Sequence, residues 1–265
     1  MQRRKYSCRR YFFPLMKEGD YMLIVFEGID GSGKSMIARR LYEHLYSTHR
    51  SNVWLASYPN YKSPTGELVK QYLSGVFGSD PKTENPYFIS MLYAIDHWHF
   101  YQNTWKTLYN SKQIIIMDRY TTSNLYYSAV NEQFKNDGEI IRFQKHIVQM
   151  EHTWMHMPEP DILFYLDMPS SISVRLRKSR MHNTGGVTGD INENNLKFLE
   201  SVNKQGKRMV RRIASLFPNT SAKIISCTQN GDLRSPEDIL ADILIHIRVV
   251  SSFANPTAST QREDI

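Results

Sequence analysis

A glycine-rich segment near the start of the chain restricts its fold more than any other feature. Residues 28–35 match the pattern G-x-x-x-x-G-K-[ST], which binds phosphate groups when it joins a β-strand to an α-helix. The apolar run Met22–Phe26 predicts such a strand, and the apolar spacing in Ser35–Tyr46 predicts the helix. We therefore expect an α/β fold with a nucleotide phosphate site. The residues expected to form this phosphate loop are Gly28, Ile29, Asp30, Gly31, Ser32, Gly33, Lys34 and Ser35.

The fixed positions of the phosphate loop indicate the chemistry of its ligand. Glycines let backbone N–H groups approach phosphate oxygens, and the helix directs the positive end of its dipole at the same anion. Lys34 is expected to reach the β- and γ-phosphates of ATP, and the Ser35 hydroxyl to bind the accompanying Mg²⁺. A glycine turn that matches the pattern by chance is the alternative, and the strand and helix beside it disfavour that interpretation. GTPases, ATPases and small kinases share this loop, so it does not identify the acceptor.

The remaining apolar segments predict a single α/β domain. Strands that are apolar on both faces and separated by helices indicate a parallel sheet covered on both sides, a three-layer αβα architecture. A long helix is expected over Pro86–Tyr109. The domain is expected over 21–250, between a basic extension (1–20) and a polar tail (251–265), both expected to be disordered. The further strands are expected at Val53–Ala56, Ile114–Met117, Ile162–Leu166 and Lys223–Ile225.

The charge of the chain does not predict a nucleic-acid-binding protein. The net charge is +7, but the first 20 residues hold six basic and two acidic side chains and so contribute +4 of it. A late start, at Met16 or Met22, is an alternative to a disordered arm, and organelle targeting is a weaker one. Two cysteines and short apolar runs predict a cytoplasmic protein without disulfides or a membrane segment.

Four segments together resemble the thymidylate kinase family. Residues 26–35 resemble its opening F-E-G-x-D-G-x-G-K-S/T, and 118–127 resemble its D-R-Y-x-x-S-x-x-x-Y segment. Tyr58-Pro59 with the residues up to Gly75 resembles the region after its second strand, and Leu166–Pro169 resembles the strand that leads to its lid. The resemblance implies a five-stranded sheet of order 2-3-1-4-5, a mobile lid over about 175–194 and a homodimer. It also implies the reaction ATP + dTMP → ADP + dTDP with Mg²⁺.

Arg119 is the first candidate for holding the acceptor phosphate. A guanidinium grips a phosphate with two parallel hydrogen bonds, and Asp118-Arg119 is expected where a strand ends. The resemblance implies that Asp118 organises the Mg²⁺ side and that Asp30 faces the sugar 3′-hydroxyl. The alternatives are a structural Asp–Arg ion pair and an aspartate that stabilises the loop.

The nucleoside part of the substrate site is assigned by resemblance. Tyr93 corresponds to the aromatic residue that stacks on thymine, and Ser123 and Tyr127 correspond to positions around the base and sugar. The alternatives are a core aromatic and buried hydroxyl groups that satisfy the backbone.

Three positions depart from the family pattern. Tyr61 and Lys62 stand where many members have an arginine, and His97 replaces an arginine four residues after the stacking aromatic. The family commonly places one extra arginine either in the phosphate loop or in the lid, and the phosphate loop here has none. The resemblance therefore implies that a lid cation, Arg175 or Arg180, stabilises the transition state. Basic residues that only favour the end of a helix are the alternative there.

The rival functions are another mononucleotide kinase, a deoxynucleoside kinase and a non-catalytic nucleotide-binding protein. A deoxynucleoside kinase needs a carboxylate base after the second strand, and residues 57–60 contain none. A GTPase-type switch would need an N-K-x-D-like segment, which the sequence lacks.

Overall fold

A computed structural model describes residues 21–49, 52–78, 80–184 and 196–254 of the chain. Its centre is a parallel sheet of five strands in the order β2-β3-β1-β4-β5, which confirms the predicted architecture and order. These strands are β1 (Met22–Glu27), β2 (Val53–Ser57), β3 (Ile114–Asp118), β4 (Ile162–Asp167) and β5 (Ser221–Ser226).

The helices alternate with the strands along the chain, as a parallel sheet requires. A short antiparallel hairpin after β5, which the sequence patterns did not predict, consists of β6 (Thr228–Gln229) and β7 (Asp232–Leu233). The α-helices are α1 (Lys34–His49), α2 (Pro64–Leu73), α3 (Pro86–Phe100), α4 (Lys106–Asn110), α5 (Asn124–Tyr127), α6 (Asp137–Val148), α7 (Ser170–Thr184), α8 (Leu196–Arg211) and α9 (Pro236–Ala254).

Strand β1 lies between β3 and β4 and is buried along its whole length. Because side chains alternate across a strand, its residues divide between the two faces of the sheet. Ile24 and Phe26 pack with residues of α1 and α9 on one face. Leu23 and Val25 pack on the other, against the aromatic cluster around Trp105. Apolar contacts on both sides therefore hold the strand that leads into the phosphate loop.

The prediction of one continuous helix over Pro86–Tyr109 is wrong in the middle of this range. It is divided into α3, a π-helical turn at Tyr101–Trp105, and α4. The turn buries Tyr101 and Trp105 against the sheet, and the Trp105 indole donates a 3.0 Å hydrogen bond to the Tyr58 hydroxyl. The change in local winding thus coincides with the point at which these two large rings pack into the aromatic cluster on the sheet.

The expected ends of the domain are only partly within the described structure. The basic extension 1–20 and the residues after 254 lie outside it, as do residues 185–194 of the expected lid. Helix α9 continues to Ala254, four residues into the segment expected to be a tail. No glycine or proline interrupts it before Pro256, and a proline disfavours helix at the residue before it. Within the described residues, none of the helices combines the length and the apolar character that a membrane crossing needs.

Candidate active site

The phosphate loop lies directly between β1 and α1, at the carboxyl edge of the sheet. Gly28 has φ +143°, and a Cβ there would lie 2.7 Å from the carbonyl oxygen of Leu166 on β4. Gly33 has φ +90° immediately before the first turn of α1. Glycine adopts these positive φ values at low cost, and at Gly28 it also leaves room for the close approach to β4. The loop therefore needs glycine at both positions to pass β4 and then enter the helix.

Lys34 is almost completely buried under the loop. Its ammonium group donates a 3.0 Å hydrogen bond to the Ile29 carbonyl and lies 4.0 Å from the Asp30 carboxylate. Burial, and then the nearby charge of Arg119, lower the pKa of Lys34 to about 8, against the opposing effect of Asp30 and Asp118. An anion bound in the loop would add negative charge beside the buried ammonium and so favour its protonated form.

Ser35 and Asp118 meet across the first turn of α1 and the end of β3. The Ser35 hydroxyl donates a hydrogen bond to Oδ2 of Asp118. The other oxygen, Oδ1, is buried and has no hydrogen-bond partner among the described residues. A carboxyl oxygen without a partner beside a serine hydroxyl is a suitable ligand set for Mg²⁺, which takes oxygen ligands. These two residues therefore fit the nucleotide-bound Mg²⁺.

Arg119 is the first residue after β3, and its backbone has φ +67°. Its guanidinium forms an ion pair with Asp30 and donates a 3.1 Å hydrogen bond to the Tyr127 hydroxyl. Tyr127 also donates a 2.9 Å hydrogen bond to Asp30. Burial alone would raise the pKa of Asp30, but Arg119 and Lys34 hold it well below its usual value. Asp30 is therefore ionised at neutral pH.

Glu27, the last residue of β1, was not identified from the sequence as a site residue. It is fully buried, and its carboxylate accepts hydrogen bonds from the residues that follow Arg119. The donors are the Tyr120 backbone N–H (3.1 Å) and the side-chain hydroxyls of Thr122 (2.6 Å), Ser123 (2.7 Å) and Tyr126 (2.8 Å). Glu27 thus fixes the segment that carries Arg119. Its position inside the family motif was the only signal in the sequence.

Two cavities meet at Arg119. The first is lined by the phosphate loop, α1 and Asp118, and the second extends towards α2, α3 and α5. The residues that line both are Asp30, Pro59, Tyr61 and Arg119. If each cavity held a ligand, the ends of the two ligands that face each other would therefore both lie at the Arg119 guanidinium.

The second cavity contains three of the residues assigned to the nucleoside. Tyr93, Ser123 and Tyr127 line it, and the Arg119 guanidinium lies 5.1 Å from the centre of the Tyr127 ring. The other lining residues are mainly apolar or aromatic, and the sequence patterns did not identify them. They are Tyr72, Leu73, Pro81, Ile89, Ser128 and Phe198.

Two predicted substrate residues do not line this cavity. His97 is 2% exposed, and its Nδ1 lies 2.7 Å from a carboxylate oxygen of Glu151, a contact that no sequence spacing indicated. Lys62 is exposed beside the start of α2 and lines neither cavity. Tyr61, in contrast, is 48% exposed and lines both.

The lid residues lie on and after α7. Arg175 is exposed on this helix, and the side chain of Arg180 lies outside the described residues. The Ser173 hydroxyl donates a hydrogen bond to the carbonyl of Asp30, which attaches α7 to the phosphate loop. Arg177 packs on the same loop, because a Cβ on Gly31 would lie 3.0 Å from its Cγ. Arg177 is therefore the described lid-helix arginine whose side chain contacts the phosphate loop.

Comparison with known proteins agrees with this geometry. The model of the thymidylate kinase family matches residues 26–230. The thymidylate kinase of Dictyostelium discoideum is 25% identical over 161 residues, which cover 59% of this chain and 61% of that relative. The thymidylate kinase of Acinetobacter baylyi is 26% identical over 230 residues, which cover 86% of this chain and 100% of the relative.

A solved structure has the same fold. The thymidylate kinase of Candida albicans superposes with a TM-score of 0.56 at 22% identity, covering 87% of this chain and 92% of that one. At this identity the likeness supports the fold alone.

Proposed function

Because the chain belongs to the thymidylate kinase family, we propose that it transfers the γ-phosphoryl group of ATP to dTMP, giving ADP and dTDP. The observation that carries this proposal is the pair of cavities that meet at Asp30 and Arg119. Phosphoryl transfer needs two anions held in line while cations reduce their repulsion, and this junction brings a donor site and an acceptor site together.

On the donor side, the loop amides and Lys34 would hold the β- and γ-phosphates. Ser35 and Asp118 would hold the Mg²⁺, which neutralises phosphate charge when it is bound with ATP. In the reaction, an oxygen of the dTMP phosphate forms a bond to the γ-phosphorus. The bond from that phosphorus to the β,γ-bridging oxygen breaks, and ADP leaves with the electron pair.

On the acceptor side, Arg119 would exchange part of its contact with Asp30 for the dTMP phosphate. Asp30 is ionised, so it can accept a hydrogen bond from the sugar 3′-hydroxyl, with Tyr127 beside it. Tyr93 would stack on the base, and Ser123 would face the nucleoside. We assign Tyr61, which lines both cavities, to a substrate contact in place of a family arginine. The substrate contacts of His97 and Lys62, which line neither cavity, stay predictions from the resemblance.

The test of this function is ADP release by the purified chain with ATP and Mg²⁺, supplied with one acceptor at a time. We expect turnover that depends on dTMP and exceeds turnover with the other mononucleotides and with thymidine. Preference for a different monophosphate would change the substrate but keep the mechanism. Turnover on thymidine alone would favour the deoxynucleoside kinase, and turnover independent of any acceptor would contradict the proposal.

A lid arginine is proposed to stabilise the transition-state charge, and Arg175 and Arg180 are its candidates. Removing such a charge costs about 10³-fold or more in kcat when it contacts the transferring group. We therefore expect the double variant Arg175→Ala/Arg180→Ala to lose at least about 100-fold in kcat, measured as ADP release at saturating ATP and dTMP. The double variant Arg208→Ala/Arg211→Ala on α8 is the control. Full activity of the lid variant would leave the role to another cation.

We also propose that the chain forms a homodimer through α3. Four large apolar residues share one face of this helix at spacings of three and four, and each is more than a third exposed. They are Phe88 (38%), Met91 (46%), Ile95 (42%) and Trp98 (42%). An apolar face of this kind marks an interface in a soluble protein.

Charge on this face is expected to separate the subunits. In the double variant Met91→Glu/Ile95→Glu, the introduced carboxylates would lie near their two-fold copies and be desolvated without partners. Light scattering should give twice the 31.0 kDa chain mass for the natural protein and the single mass for the variant. Ile245→Glu, at an exposed isoleucine on α9, is the matched control and should remain dimeric. A natural protein that is monomeric at micromolar concentration would contradict the proposal.

A further inference from the structure

A buried carboxyl group on α3 has no role in the mechanism so far. Asp96 is completely buried, and none of the ion pairs between described residues includes it. Burying a carboxyl group is costly unless its oxygens accept hydrogen bonds. The groups that donate to Asp96 therefore show what its burial achieves.

The three described donors to Asp96 belong to the segment between β2 and α2 and to the first turn of α2. The Asn60 backbone N–H donates to Oδ2 at 2.9 Å, and the hydroxyls of Ser63 and Thr65 donate to Oδ1 at 3.1 and 3.0 Å. The Ser63 hydroxyl also accepts a 2.9 Å hydrogen bond from the Gly66 N–H and so caps α2. One carboxyl group thus joins α3 to the start of α2 and to the segment before it.

Asn60 and Ser63 are the two ends of a tight turn. The Ser63 N–H donates a 2.9 Å hydrogen bond to the Asn60 carbonyl, as in a β-turn, and Tyr61 and Lys62 are the two central residues. A Cβ at Gly66 would lie 1.9 Å from the same carbonyl oxygen, so the turn lies directly against the first turn of α2. The buried carboxyl group therefore holds both ends of the turn, and α2 supports it from one side.

The turn presents Tyr61 to both nucleotide sites. Its side chain lines both cavities that meet at Arg119, although Tyr61 is 48% exposed. Because nearly half of this residue is open to solvent, its position depends on the direction in which the backbone of the turn presents it. A misplacement of about 1 Å among groups that position a substrate can cost about 100-fold in rate, so the geometry of this turn bears on catalysis.

We propose that Asp96 is a positioning residue that places Tyr61 between the donor and acceptor nucleotides by holding both ends of the turn 60–63. This inference rests on the proposed function. Since Tyr61 lines both cavities, loosening the turn weakens the binding of both nucleotides, whereas a residue that served one site would affect one nucleotide. Asp96 acts through Tyr61, so its removal has little further effect once the Tyr61 ring is absent.

The variant Asp96→Ala tests this role, because it removes the acceptor atoms of all three hydrogen bonds. We expect kcat/KM for dTMP to fall at least about tenfold, and the dissociation constant for Mg²⁺–ATP to rise at least about threefold. The control is Asp161→Ala, at a half-buried carboxyl group that accepts a 2.7 Å hydrogen bond from the Leu23 N–H and lies outside both cavities. This control should change each quantity by less than about twofold, because its site is independent of the turn.

A double variant separates positioning from a merely structural role. In a Tyr61→Ala background, Asp96→Ala should change both quantities by less than about twofold, because the side chain through which it acts is already absent. Equal effects of Asp96→Ala with and without the Tyr61 ring would overturn the inference, since the carboxyl group would then act through other residues. Asp96→Asn keeps one oxygen for the Asn60 N–H and should recover part of the activity that Asp96→Ala loses.

Two further results separate the inference from folding and from the proposed function. If Asp96→Ala does not fold, Thr65→Val removes one of the three donors at nearly the same volume, outside both cavities. Both quantities should then change in the same directions by smaller factors, and no change would overturn the inference. If the natural protein phosphorylates no monophosphate, the proposed function fails. The dissociation constants of the four proteins of the cycle for Mg²⁺–ATP, which need no acceptor, still test the inference.

Discussion

Replacing Arg119 by glutamine should lower kcat/KM for dTMP by about 10³-fold while changing the dissociation constant for ATP by less than about threefold. The guanidinium lies where the two cavities meet, so it would contact the acceptor phosphate both before and during transfer. Glutamine removes the charge and the fork of donors but keeps one N–H₂ group. Loss of a charged group that stabilises transferred phosphate costs about 10³-fold or more in comparable enzymes.

Two further variants separate charge from geometry. Arg119→Lys keeps the positive charge but loses the bidentate grip, and should recover part of the activity of Arg119→Gln. Arg208→Gln removes an arginine that is paired with Asp137 on the surface and should be neutral. The measurement is the steady-state rate of ADP release against dTMP concentration at saturating ATP. Activity of Arg119→Gln within about tenfold of the natural protein would show that the guanidinium serves only its ion pair with Asp30.

The same ion pair predicts how the fold responds to this substitution. Asp30 has its pKa held well below the usual value, with Arg119 as the main cause after the opposing effect of burial. A carboxyl group with a depressed pKa stabilises the fold above its unfolded pKa, and this contribution is lost as the pH falls through the folded pKa. Without Arg119 that contribution shrinks, so each Arg119 variant needs a thermal unfolding measurement at neutral pH beside its kinetics.

The parts of the fold that depend on local pattern were predictable. Strand β1 has six consecutive buried residues that are nearly all apolar, and the glycines that follow have backbone angles that other residues rarely adopt. The strand order followed from resemblance to a family. Residue patterns alone identify strands but not their neighbours, because strand pairing depends on contacts between distant segments.

The features that could not be predicted depend on contacts between residues that are far apart in the chain. The π-helical turn Tyr101–Trp105 contains two rings that pack against the sheet, and no residue spacing within the segment predicts it. Apart from the place of Glu27 in the family motif, nothing in the sequence distinguishes Glu27 and Glu151 from other acidic residues, and each is identified by the donors that the fold brings to it. The departure of His97 from the family pattern stays a prediction, and its contact with Glu151 joins residues 54 positions apart.

Replacing Lys34 by methionine should reduce kcat by about 10³-fold or more and remove a pH dependence from nucleotide binding. In the free protein, burial lowers the pKa of Lys34 to about 8, whereas bound phosphates would raise it again. The charged form binds the phosphates, so affinity for ATP should be nearly constant below pH 8 and fall above it, by up to about tenfold per pH unit. Methionine fills the same volume without a charge, so this fall should disappear.

The measurement is the dissociation constant for Mg²⁺–ATP at pH 7, 8 and 9, with kcat determined in the same buffers. Lys106→Met is the control, because Lys106 is exposed and its ammonium contacts only Gln102 among the described residues. Arg119 and Asp30 do not explain a change in this range, because the pKa of Arg119 stays well above its usual value and that of Asp30 well below. If affinity fell above pH 8 equally in the natural protein and in Lys34→Met, the titrating group would be elsewhere. The buried ammonium would then have to be charged throughout, with Asp30 and Asp118 compensating its burial.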